Sequence, residues 1–144
     1  SSDLSPSMET FFSILEVLGV TPEQFFSQQP LEQKIVYNEE ESTLYYDEEH
    51  GYELKWLIPA SNEKEMEPVI ITFDKNGEYK TFEPSLSETF IYVIDGSIRL
   101  TLGEATYIAK KGQTMYYQAT EPHQISNNGR GKSRALIVAT ESYL

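Results

Sequence analysis

Glu88-Thr89-Phe90-Ile91-Tyr92-Val93-Ile94-Asp95-Gly96-Ser97-Ile98-Arg99-Leu100 holds two β-branched and aromatic runs separated by an Asp-Gly pair. Residues of those types suit a pleated, half-buried surface. Asp-Gly tolerates the positive φ of a tight hairpin turn. The stretch therefore predicts a strand that turns at Asp95-Gly96 and returns. Side chains alternate along a strand, so if Thr89 faces inward, Ile91 and Val93 do too.

The same pattern continues on either side of this hairpin. Strands are predicted near 34–37, 42–46, 52–58, 68–74, 79–83, 88–94, 97–102, 105–109, 114–117, 122–126 and 133–140. Turn residues separate them at Asp47-Glu48-Glu49-His50-Gly51, Asp74-Lys75-Asn76-Gly77, Lys111-Gly112 and Asn127-Asn128-Gly129. Many short strands at even spacing indicate a mainly β sandwich or barrel. The charged stretch Ser61 to Pro68 reads as a solvated loop.

The first thirty residues read differently. Met8, Phe11, Phe12, Leu15 and Leu18 recur at helical spacing, with Pro6 and Ser7 suited to the start and Gly19 to the end. Thr21-Pro22-Glu23-Gln24 then opens a second short helix with a capping box. The expected organisation is a helical segment and linker over 1–30 followed by a β domain over 31–144.

Composition narrows the function classes. The 144 residues suit one domain with a substantial core, and ten Tyr and seven Phe argue against disorder. The absence of cysteine removes disulfides, thiolate metal sites and Cys nucleophiles. Ser1-Ser2-Asp3 has neither part of a signal peptide, and no apolar run approaches a membrane span, so a cytoplasmic protein without membrane contact is expected. A net charge of −12 repels the phosphate backbone that dominates DNA affinity.

The Glu88 to Leu100 run resembles the first motif of the cupin family. Lys111-Gly112-Gln113-Thr114-Met115-Tyr116-Tyr117, continuing to Pro122-His123-Gln124-Ile125-Ser126-Asn127, resembles the second. The resemblance implies a jelly-roll-like antiparallel barrel. Leu4-Ser5-Pro6 with the amphipathic helix, Leu18-Gly19-Val20 and Phe25-Phe26 resembles the end of a phage-repressor-type helix-turn-helix domain. Together they match the layout of bacterial cupin-type transcription regulators. That implies a repressor in which DNA is contacted only by a domain upstream of Ser1, and in which two half-sites call for a homodimer.

Enzymatic cupins hold a divalent metal with two histidines and a carboxylate on the first motif and a histidine on the second. The family's positions fall here on Glu83, Ser85 and Thr89, leaving His123 as the surviving ligand. Glu88 lies one residue off, and a shift of one points a strand side chain to the other face. An open catalytic site needs about three protein ligands. Neither a metal, a cofactor nor catalysis is expected, and His50 reads as a surface residue. The alternatives are a metal-dependent or metal-free cupin enzyme of isomerase or dioxygenase type, and a barrel that only dimerises.

A small-molecule effector is expected in the barrel, contacted by His123, Glu83, Ser85, Thr89, Ile91, Tyr92, Tyr117 and Asn127. His123, Ile125 and Asn127 share a strand face by parity. Glu83, Glu88 and Glu121 near the expected mouth favour an amine, for which a carboxylate gives charge-assisted bonds. Tyr92, Tyr116, Tyr117, Phe82, Trp56 and Arg99 are expected at the mouth or packed between sheets.

Overall fold

The structure, a computed structural model, describes residues 33–141, 143 and 144, together with Thr10, Ser13, Ile14, Val17 and Gly19. The chain divides into two compact units, Ser1–Val36 and Tyr37–Leu144. In the first unit Thr10, Ser13, Ile14 and Val17 are helical and Gly19 lies in a turn at φ +73°. The apolar face expected at 8, 11, 12, 15 and 18, and the whole second helix, lie outside the described residues.

The second unit holds nine strands: β1 (Thr43–Asp47), β2 (Tyr52–Trp56), β3 (Met66–Phe73), β4 (Glu88–Asp95), β5 (Ser97–Leu102), β6 (Ala105–Lys110), β7 (Thr114–Gln118), β8 (His123–Asn127) and β9 (Ser133–Thr140). They form an antiparallel six-stranded sheet in the order β1-β2-β3-β9-β4-β7 and a three-stranded sheet in the order β6-β5-β8. The Asp95-Gly96 turn carries the chain from one sheet to the other. Both inner faces are apolar, with Val69, Ile71, Phe73, Ile91, Val93 and Ile137 on the large sheet and Ile98, Leu100 and Ile125 on the small one.

Two expected strands are absent. Residues 33–38 have no regular structure, and Ile35 and Val36 are 71% and 78% exposed. Alternating apolar residues make no strand without a partner, and β1 is the edge of its sheet. The segment 79–83 meets the small sheet only through isolated bridges, Glu78 to Ser126 and Phe82 to His123. Tyr79 and Phe82 are both buried. Three residues apart, they cannot both face inward on an unbroken pleat of period two.

One end of the barrel is clasped by Asn127. Its Nδ2 donates to the carbonyls of Asp74 (2.8 Å) and Gly131 (2.7 Å), while its Oδ1 accepts from the Gly129 amide and the Ser133 hydroxyl, both at 2.7 Å. All four bonds lie within the fold. The expectation that Asn127 contacts ligand is therefore replaced by a structural role, since little of its hydrogen-bonding capacity remains. Gly96 sits against the same clasp at φ +76°, where a Cβ would stand 2.2 Å from Ser133 Oγ.

His50 lies in the β1–β2 turn, as expected of a surface residue, with its Nδ1 2.9 Å from Asp47 Oδ2. The Asp47 carboxylate holds its pKa above the ordinary 6.5. A raised histidine pKa means the contact is complete below pH 6.5 and is lost as pH rises through the raised value. By NMR titration the His50 midpoint should lie above 6.5 and fall in Asp47→Asn. Gly96→Ala should cost roughly 2–4 kcal/mol in urea denaturation, combining left-handed strain with a clash. Gly112→Ala, at φ +85° with open space around it, should cost only about 1–2 kcal/mol.

Candidate functional site

The files of inward side chains change character toward the other end of the barrel. On β3 the file runs Phe73, Ile71, Val69 and then Glu67, and on β4 it runs Val93, Ile91 and then Thr89. On β8 it passes from Ile125 to His123. Register aligns the last positions of the large sheet into one rung, because Glu67 pairs with Ala139, Ala139 with Thr89, and Thr89 with Tyr117. All four are buried. His123, only 2% exposed, faces this rung from the small sheet.

His123 is held on several sides. Its ring stacks on Phe82 at 5.1 Å and 18°, and Tyr117 and Tyr143 meet it edge-on at 5.7 and 5.5 Å. Its Nδ1 lies 3.0 Å from the Glu121 carbonyl. A carbonyl only accepts, so Nδ1 carries the proton and, in the neutral ring, Nε2 presents a lone pair. Among the described residues that Nε2 has no hydrogen-bond partner, and neither does the buried Tyr117 hydroxyl. The Tyr117 hydroxyl lies near those of Tyr143 and Thr89, which are hydrogen-bonded to each other. Leaving such a group buried and unsatisfied costs about 1–3 kcal/mol, so two beside one rung single it out as the candidate site.

Burial pushes the phenols of Tyr117, Tyr143 and Tyr79 well up, so they remain protonated donors across the physiological range. Glu67 accepts from the Ser61 hydroxyl at 3.2 Å and lies close enough to Tyr79 to raise its phenol further. Two surface hollows touch the ends of the rung. A groove of about 430 Å³ between β6 and β7 reaches Tyr117, and a hollow of about 280 Å³ beside the β2–β3 connection reaches Glu67.

The structure brings together only part of the expected set. His123, Thr89 and Tyr117 meet in the rung, and Ile91 lies one rung below them, closing the floor. Glu83 is exposed and Ser85 is half-buried, its Oγ accepting from the Ser87 amide at 3.1 Å. Tyr92 is 41% exposed on the outer face of the large sheet, because its parity is opposite to that of Thr89 and Ile91. Glu88 and Glu121 are exposed too, and Glu88 lies beside Tyr116 outside the barrel, raising its phenol. The carboxylates expected at the mouth are thus not in the cavity.

Two residues of the rung went unread in the sequence. Glu67 falls in the stretch taken for a solvated loop, yet β3 starts at Met66. The phase of Val69, Ile71 and Phe73, extended back two residues, places it inward and could have revealed it. Tyr143 follows β9, and no periodicity points to it.

The donors do not fit a resident divalent metal. The rung offers one imidazole and one carboxylate, its other oxygens are neutral hydroxyls, and no cluster of three His, Cys, Asp or Glu side chains exists among the described residues.

The two sheets and their connections make a cupin fold, and residues 70–139 match the family model described as Cupin_2, cupin domain. No curated protein matches the chain. Among solved structures, an HTH_3 family transcriptional regulator from Vibrio cholerae is 16% identical with a TM-score of 0.58, over 96% of this chain and 74% of that one. The Cupin_2 domain of an XRE family transcriptional regulator from Enterobacter cloacae is 13% identical with a TM-score of 0.56, over 62% of this chain and 96% of that one. The polyketide cyclase RemF from Streptomyces resistomycificus is 20% identical with a TM-score of 0.59, over 76% of this chain and 81% of that one. At these identities the likeness is one of fold, and the fold serves regulators and enzymes alike.

The unpartnered hydroxyl makes a direct test of the site. Tyr117→Phe should leave stability unchanged or raise it by up to about 1 kcal/mol in urea denaturation. Thr89→Val, which strips the Tyr143 hydroxyl of its partner, should cost about 1–2 kcal/mol.

Proposed function

We propose that the barrel is the effector-sensing domain of a DNA-binding transcription repressor, with no catalytic role of its own. The observation that carries the reading is the rung itself. Buried Nε2 and Oη atoms without partners among the described residues can receive a small molecule, at a rung whose donors suit neither a metal nor a nucleophile with its base. The likeness to two transcriptional regulators supports it, the Vibrio cholerae protein over nearly the whole chain. DNA contact then falls to a helix-turn-helix domain, consistent with a charge of −12 here, and the protein works in the cytoplasm.

The effector belongs to the amines, and a diamine or polyamine is the first candidate. Among the cupin-type regulators the sequence resembles the putrescine-utilisation repressor, and its acidity points the same way. The carboxylate assigned to the ammonium is now Glu67 rather than Glu83, Glu88 or Glu121. A homodimer completes the proposal. The outer face of the large sheet carries two apolar rows, Ile70–Leu136–Tyr92 and Val138–Phe90–Tyr116, in partly or fully exposed positions. Apolar patches of this kind mark association surfaces.

A thermal-shift panel of diamines, amino acids and sugars tests the sensor. A ligand at one hundred times its Kd adds about 2.7 kcal/mol, a shift of several degrees. Should no compound raise Tm at millimolar concentration, the sensor reading fails. Stoichiometric Fe, Mn, Ni or Zn in the purified protein would instead favour the enzyme reading. For the dimer, size-exclusion chromatography should show a two-fold mass that Tyr92→Lys shifts toward the monomer.

A further inference from the structure

We propose that Tyr143 is a tethered placeholder, a side chain that fills the effector site in the unliganded state and is displaced when a ligand rich in hydrogen-bond donors enters. The inference rests on the sensing role assigned to the rung and adds a mechanism of occupancy to it.

Three observations carry it. First, Tyr143 belongs to no strand. β9 ends at Thr140, and the chain then passes through Glu141 at φ +60°, a left-handed conformation that costs a residue with a side chain about 1 kcal/mol or more. Its position therefore depends on side-chain contacts and not on a ladder of backbone bonds. Second, those contacts are with the site. The ring meets Phe82 edge-on at 5.0 Å and His123 at 5.5 Å, and its hydroxyl is bonded to Thr89. Third, it leaves polar atoms of the site unsatisfied. With Tyr143 in place, His123 Nε2 and Tyr117 Oη have no hydrogen-bond partner among the described residues.

The third point separates a placeholder from an ordinary core residue. A permanent filling would be expected to satisfy the buried polar atoms around it, since natural interiors leave few unpaired. A molecule carrying ammonium or hydroxyl groups can donate to His123 Nε2, exchange a hydrogen bond with Tyr117 Oη and take the place of the Tyr143 hydroxyl on Thr89. Two gained bonds offset the loss of the tyrosine packing. Surface hollows lined in part by Tyr117 and by Glu67 lie beside the two ends of the rung. While Tyr143 is docked, the apparent affinity falls in proportion to the fraction of open sites.

Calorimetric titration of the whole chain with 1,4-diaminobutane and with its uncharged analogue 1,4-butanediol tests this, and the pair separates ammonium from hydroxyl recognition. Tyr143→Ala should bind at least one probe roughly tenfold or more tightly than the unaltered protein, as expected when a state only about a tenth open becomes fully open. Tyr143→Phe keeps the ring and loses the Thr89 bond, so it should show a smaller gain, and it serves if the alanine variant does not fold. In the unaltered protein the bound probe should also increase nitration of Tyr143 by tetranitromethane while leaving Tyr79 protected. Equal or weaker binding by the variants, or no binding of either probe to them, overturns the placeholder. If some panel compound stabilises the unaltered protein and Tyr143→Ala alike, the sensor reading stands and the placeholder alone falls. If nothing binds any form, both fall.

Discussion

The strict alternation of side chains along antiparallel strands governs this molecule. Every inward file is read at a spacing of two, so a position is committed to the cavity or to the outside by parity alone. The files on β3, β4 and β8 are apolar through the middle of the barrel and turn polar at one rung. That change makes a site out of a core. Beneath it Val69, Ile137 and Ile91 form a sealed apolar floor. Above it lie Glu67, Thr89, Tyr117 and His123, with the Tyr143 side chain beside the last three.

The two ends of the barrel handle their polar groups in opposite ways. At the Asn127 end, the amide of one residue ties Asp74, Gly129, Gly131 and Ser133 together, and its bonds are all internal. At the His123 end, the Nδ1 atom is anchored on a backbone carbonyl and the Nε2 atom has no partner among the described residues. The first arrangement stabilises; the second keeps capacity for a partner. Both residues lie on β8 with the same parity, so their local pattern is alike and their roles diverge only through what the rest of the chain brings to each.

Parity also explains the expectations that the structure revised. Tyr92 and Glu88 lie on even positions of β4 and face outward, while Thr89 and Ile91 face inward. Glu67 is the converse case, a charged residue with the inward phase, in a stretch where the neighbouring charges suggested a loop. Tyr79 and Phe82 show where the rule stops, since two buried aromatics three residues apart interrupt the pleat and leave a bridged segment in place of a strand.

From sequence alone came the mainly β architecture, the turn at Asp95-Gly96, the strands on either side of it and the shared parity of Thr89 with Ile91 and of His123 with Ile125, whereas the pairing of the two strands beside that turn did not, since they lie in different sheets. These rest on local chemistry, on β-branched runs, turn residues and spacing within one strand. Tertiary structure decided the rest: that Glu67 and Thr89, more than twenty residues apart, occupy one rung, that Asn127 is a clasp, and that Tyr143 folds back onto His123. Each depends on register between strands distant in the chain or on a side chain outside any ladder. No periodicity within a single segment encodes such a meeting, because it arises only when the two sheets close on each other.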